Sequence, residues 1–153
     1  KSSMEKVAEI VEQYCTFPII DKVKLFRLTL FSFLCGNEDM HLKNFSLIRR
    51  EGKIELSPAY DLVNSTIALS KPTVEMALPI AGRKSKLTRN DLVDYFGKER
   101  LGLAAKVIAD ELNNIEGCIE QWRALITISF LSDEMKKKYV HVLEERLNRV
   151  FAN

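Results

Sequence analysis

Apolar residues recur at helical spacing over most of the chain, and the rhythm lapses in its middle. In residues 3–15, Met4, Val7, Ile10, Val11 and Tyr14 share one face, with Ser2 or Ser3 placed to cap it. Pro18 breaks that run, and residues 20–35 resume it. There Val23, Phe26, Leu30, Phe33 and Leu34 make one face while Leu25, Leu28 and Phe31 fill another, the mark of a centrally buried helix. Gly36 is placed to end it. Two short apolar stretches, 45–49 and 53–56, flank Glu51-Gly52 and predict a β-hairpin closed by Pro58. Residues 66–81 are mixed, with short extended pieces and one Pro-led turn, and 82–86 reads as a hairpin loop. Thr88 and Asp91 predict a capping box for a helix over 89–97. Residues 104–130 carry Ile108, Leu112, Ile115, Ile119, Trp122 and Ile126 at alternating steps of four and three, with a break expected near Gly117. Ser132 caps a last helix, 133–150, with Met135, Tyr139, Leu143, Leu147 and Val150 inward. Residues 1–153 therefore read as one domain, mainly α with a small β-hairpin.

Composition narrows the classes. A length of 153 residues is enough to bury a core without staples, and 46% hydrophobic with 29% charged residues is ordinary globular usage. The net charge is +2 with both signs interspersed, which does not suggest direct nucleic-acid binding. Three cysteines without a CxxC exclude a disulfide framework and a zinc ribbon; Cys35 and Cys118, in apolar periodic segments, read as small core residues. This cysteine usage fits a cytoplasmic, reducing setting best. No apolar run is long enough to span a membrane, and Glu5, Glu9 and Glu12 are unlike a signal peptide.

The lapse in the rhythm is "GNEDMHLKN", residues 36–44. Asp39 and Asn44 lie on this loop, and Asp61 follows the hairpin. A hairpin returns its chain to where it began, so Asn44 and Asp61 should end side by side with Asp39 next to them. Carboxylate and amide oxygens suit Mg²⁺. The order D-x-x-x-x-N, hairpin, D is the one protein kinases use for phosphoryl transfer. His41 reads as a brace for the loop backbone or, less favoured, as a phosphate contact. Lys43 reads equally as a phosphate contact or a solvated side chain. Asn37 and Glu38 read as loop geometry and solvent, Tyr60 as packing, and His141 and Lys136–Lys138 as surface.

The wording of these stretches goes further. "GNEDMHLKNFSLI" followed by "IELSPAYDLV" resembles the HipA family of bacterial serine/threonine kinases, the toxins of HipBA-type toxin–antitoxin systems. The resemblance continues through "VEMALPIAGRKSKLT" and "FLSDEMKKKYVHVLEERLNRVF". It implies a protein-kinase-like C-terminal lobe that uses ATP and Mg²⁺, with Asp39 as catalytic base and Asn44 and Asp61 as metal ligands. It further implies an aminoacyl-tRNA synthetase as protein substrate and a helix-turn-helix antitoxin as partner. One departure stands out. Met40 occupies the place where an Arg commonly follows the Asp in atypical kinase loops, which leaves the charge around Asp39 open.

The six glycines include no G-x-G, and no strand Lys precedes the loop. The expectation is a helical C-terminal lobe whose N-terminal, ATP-gripping lobe is absent from this sequence and which has little activity by itself. Two other readings compete: a helical interaction module with a structural polar loop, and a pseudokinase. Side chains of Asp39, Asn44 and Asp61 pointing apart would favour the module.

Overall fold

The computed structural model describes residues 2–68 and 73–151. In chain order it has α1 (Met4–Tyr14), α2 (Pro18–Cys35), a 3-10 turn (Leu42–Asn44), β1 (Leu47–Arg50), β2 (Lys53–Leu56), a second 3-10 turn (Thr66–Ala68), a π-helix (Asn90–Arg100), α3 (Ala105–Ile128) and α4 (Asp133–Phe151). Of the mixed stretch expected over 66–81, residues 69–72 lie outside the described residues.

Helix α2 is the axis of the molecule. Leu25, Phe26, Leu30, Phe33 and Leu34 are fully buried, and α1, α3, α4, the π-helix and β2 all pack on it. Pro18 does not end a helix here but opens one. At the first helical position its missing N–H costs nothing, so α2 starts two residues before the expected boundary. Ser3 caps α1, its side chain accepting the Lys6 N–H at 3.4 Å. A bidentate pair from Arg27 to the buried Glu111, at 2.7 and 2.8 Å, ties α2 to α3.

The hairpin is fastened to this axis. Leu47 faces Leu56 and Arg50 faces Lys53, so β1 is 47–50 rather than 45–49. Glu51 and Gly52 both have positive φ, as a two-residue type I′ connection requires. Asp21, buried at the start of α2, accepts the Leu56 N–H at 3.2 Å and Lys24 Nζ at 2.9 Å. Thr16 Oγ1 accepts the Ile54 N–H at 2.8 Å. At the buried Asp21 the two bonds offset the cost of burying a carboxylate.

The capping box forms as the residues predict: Thr88 N donates to Asp91 Oδ2 at 2.9 Å and Asp91 N to Thr88 Oγ1 at 3.4 Å. The helix it starts is wider and longer than expected, a π-type helix reaching Arg100. Gly97 lets it close on α2, because a Cβ there would stand 2.7 Å from Phe26 Cε2. Helix α3 runs unbroken through Gly117, which is exposed with nothing near it, and the expected break does not occur. Cys118 is exposed on α3, against its reading as core, while Cys15 and Cys35 are buried. Ser132 caps α4, accepting the Met135 N–H at 3.3 Å. Among the described residues, no helix is long and apolar enough to cross a membrane.

Candidate active site

Gly36 ends α2 in the left-handed conformation, φ 82. Its neighbours leave no room for a side chain: a Cβ would lie 2.6 Å from Asn64 Oδ1 and 3.1 Å from Thr66 Oγ1. The chain therefore turns sharply inward before it turns out. Asn37 and Glu38 are buried, not solvated as their polarity suggests. Each is fully employed. Asn37 Oδ1 accepts the Asp39 N–H at 3.0 Å, and its Nδ2 reaches the Asp61 carbonyl at 3.4 Å. The Glu38 N–H donates to Ser65 Oγ at 2.8 Å, and its Oε1 lies 2.6 Å from the Thr66 hydroxyl. Met40 is buried too, at 1% exposure. Alternation across the loop thus sends Asp39 and His41 outward, with about half of each side chain in solvent: 58% and 49%.

The outward groups converge. Asn44 Nδ2 donates to the Asp39 carbonyl at 3.0 Å and stands 3.4 Å from Asp61 Oδ2. The hairpin brings Asn44 and Asp61 together as its ladder requires. Asp39 joins them through its backbone, and its carboxylate Oδ1 faces His41 Nε2 at 2.8 Å. His41 thus meets the Asp39 side chain rather than bracing the loop backbone, while Met40 is turned inward. Lys43 is exposed and makes no ion pair among the described residues. Tyr60 is 43% exposed rather than packed away, and its hydroxyl donates to the Lys43 carbonyl at 2.8 Å, a second strap between the two segments.

Asp61 itself has φ 55. A left-handed non-glycine costs roughly 1–3 kcal/mol and persists only where its surroundings hold it, commonly at functional positions. Here the Asn37 amide on its carbonyl and the Asn44 amide near its carboxylate hold it. Among the described residues no three His, Cys, Asp or Glu side chains gather. The donor set is two carboxylates and an amide, oxygen chemistry that fits a hard cation. Asn37, Glu38, Tyr60 and Thr66 are the site residues that pattern reading missed; spacing gives no signal for the buried Asn37, Glu38 and Thr66, whose partners lie 24 to 28 positions away, nor for the exposed Tyr60, whose partner lies 17 away.

Comparison with known proteins shows the family and the fold. Residues 1–122 match the sequence model of the family described as HipA-like C-terminal domain. A protein of Haemophilus influenzae named "Putative kinase" is 28% identical over 132 residues, covering 72% of this chain and 36% of that protein. "Putative kinase Y4dM" of Sinorhizobium fredii is 35% identical over 108 residues, covering 69% of this chain and 25% of that protein. The chain thus spans a quarter to about a third of the length of these relatives. Among solved structures, HipA in the Shewanella oneidensis complex of HipA, HipB and operator DNA superposes with a TM-score of 0.72. That match is 22% identical and covers 97% of this chain and 35% of the other, so it speaks for the fold: the helical, kinase-like C-terminal region of HipA.

Proposed function

Because this chain belongs to the family of HipA-like C-terminal domains of toxin–antitoxin kinases, we propose that it is the catalytic lobe of an ATP-dependent serine/threonine protein kinase. The observation that carries the reading is the Asn44 amide lying between the Asp39 backbone and the Asp61 carboxylate. In this reading Asp39 accepts the proton of the substrate hydroxyl as it attacks the γ-phosphate. His41, 2.8 Å away, orients that carboxylate and can face phosphate from the same side. Lys43 offers its free ammonium to the transferring phosphate. Asn44 and Asp61 would hold Mg²⁺, which when bound neutralises charge on the nucleotide phosphates.

The lobe needs a cover. Catalysis of this kind is positioning and electrostatics in a site closed to water. The Asp39 side chain is 58% exposed, and the chain has no G-x-G lid. Residues 1–153 are then one domain, a C-terminal lobe that transfers little phosphate until an N-terminal lobe grips ATP over it. The same reading brings to this chain a protein substrate, for which the family points to an aminoacyl-tRNA synthetase. It also brings a helix-turn-helix antitoxin as neutraliser, as HipB accompanies HipA in the Shewanella complex, and a cytoplasmic setting.

The test is phosphoryl transfer from radiolabelled ATP by the complete kinase and by its Asp39→Ala variant. Transfer that disappears in Asp39→Ala, with unchanged circular dichroism, is the expected result. A folded, active Asp39→Ala protein overturns the assignment.

A further inference from the structure

The two site segments leave the core and return to it at one point. Residues 37–65 form an excursion whose ends meet where the Thr66 N–H donates to the Gly36 carbonyl at 3.1 Å. The Thr66 hydroxyl lies 2.9 Å from that same carbonyl and 2.6 Å from Glu38 Oε1. It has one proton, so it donates to one of these acceptors at a time. Behind this neck stands Arg146 of α4, 3% exposed. Its Nη1 donates to the Phe33 carbonyl, which also accepts the Gly36 N–H at the end of α2, and its Nη2 to Thr66 Oγ1 at 3.3 Å. Its guanidinium also lies over the Phe33 ring, 5.2 Å from the centroid.

A buried guanidinium is costly unless its charge is met. Among the described residues no carboxylate lies within ion-pair distance of Arg146. Glu75, Glu38 and Glu145 favour its charge from farther off, and of these Glu38 is tied to it through one hydroxyl, that of the buried Thr66. Arg146, Thr66 and Glu38 thus form a chain from α4 to the residue preceding Asp39. Helix α4 lies beyond residues 1–122, where the family match ends.

We propose that Arg146 is a positioning residue for the candidate catalytic loop, acting through Thr66 and Glu38 to fix the backbone that carries Asp39. For its catalytic consequence this rests on the kinase reading; for its structural consequence it does not. The neck holds two strands of the site at one place, so freeing it displaces Asp39 relative to Asp61 without touching either. A displacement near 1 Å in such a site can cost up to about 100-fold in rate.

Two measurements on the complete kinase test this, with Arg146→Lys, Thr66→Val and Thr66→Ser. Lysine cannot serve Phe33 and Thr66 at once, valine keeps the volume of Thr66 without its hydroxyl, and serine keeps the hydroxyl. If Arg146→Lys does not fold, the Thr66 pair carries the test. In the first measurement, kcat falls about tenfold or more in Arg146→Lys and Thr66→Val while KM for ATP stays within about twofold, and Thr66→Ser returns kcat to near wild type. In the second, amide hydrogen exchange at Glu38 and Asp39 quickens about tenfold in Thr66→Val while amides in the centre of α2 are unchanged. Unchanged exchange, or exchange that rises equally through α2, overturns the neck whatever the activity. Faster exchange with unaltered kcat overturns the positioning role. A wild-type protein that transfers no phosphate defeats the kinase reading alone, because the exchange measurement stands without it.

Discussion

Asn44 Nδ2 stands 3.4 Å from Asp61 Oδ2 although the two lie 17 positions apart in the chain, and the same nitrogen holds the Asp39 carbonyl at 3.0 Å. One amide group is therefore the junction of the candidate site. Its nitrogen is occupied by protein, and its oxygen takes no hydrogen bond from the described residues.

Removing that junction should loosen the site without unfolding the chain, because Asn44 sits on a half-exposed turn. A hydrogen bond to a charged group is worth about 1.5–3 kcal/mol. Asn44→Ala in the complete kinase should weaken Mg²⁺–nucleotide binding by about 10- to 100-fold, read by isothermal titration calorimetry with a non-hydrolysable nucleotide. Unaltered affinity would remove Asn44 from the proposed binding set.

Gly36 should resist substitution more than any surface glycine. An L-residue in the left-handed region costs roughly 1–2 kcal/mol, and here the new Cβ also meets Asn64 Oδ1 at 2.6 Å. Gly36→Ala should lower thermal stability by several degrees in a calorimetric scan. Gly117→Ala, in open space within α3, should raise it slightly by helix propensity. Equal effects at the two positions would contradict the packing at the neck.

The cysteines should separate by environment. Burial pushes the thiols of Cys15 and Cys35 up to about 11, while Cys118 is exposed. Iodoacetamide at neutral pH should label Cys118 first, and mass mapping would show it. The shift also carries a stability consequence. A thiol held protonated in the folded state contributes fully below pH 9, the reference value. Its contribution is lost between pH 9 and 11, where the unfolded chain releases the proton and the folded chain retains it. Cys35→Ser should flatten that alkaline fall in urea-unfolding midpoints.

What could be read from the sequence is what local pattern decides. Leu25, Phe26, Leu30 and Phe33 announce α2 by spacing alone, and Thr88 with Asp91 announce a cap because both partners lie within one turn. The hairpin and its flanking Asn44 and Asp61 were legible for the same reason: a two-residue turn fixes what comes together. Pro18 was misjudged because a proline breaks or begins a helix according to its neighbours, and Cys118 because a helical face does not say how far the core extends. Glu38, Thr66 and Arg146 were invisible, since their meaning depends on contacts across 28 and 80 positions. A buried charge has no sequence signature; it is defined by what the fold brings to it.

The tip of the hairpin is free in a way its base is not. Gly52 has nothing within 4 Å of where a Cβ would be, whereas Thr16 and Asp21 bind the strand below it. The separation of Asn44 and Asp61 is set under the tip, by the ladder from Leu47–Leu56 to Arg50–Lys53. Chain length at residues 51–52 is thus decoupled from site geometry. Extra residues there could lengthen the loop toward solvent, or carry a tag or reporter, while the two side chains beneath keep their spacing.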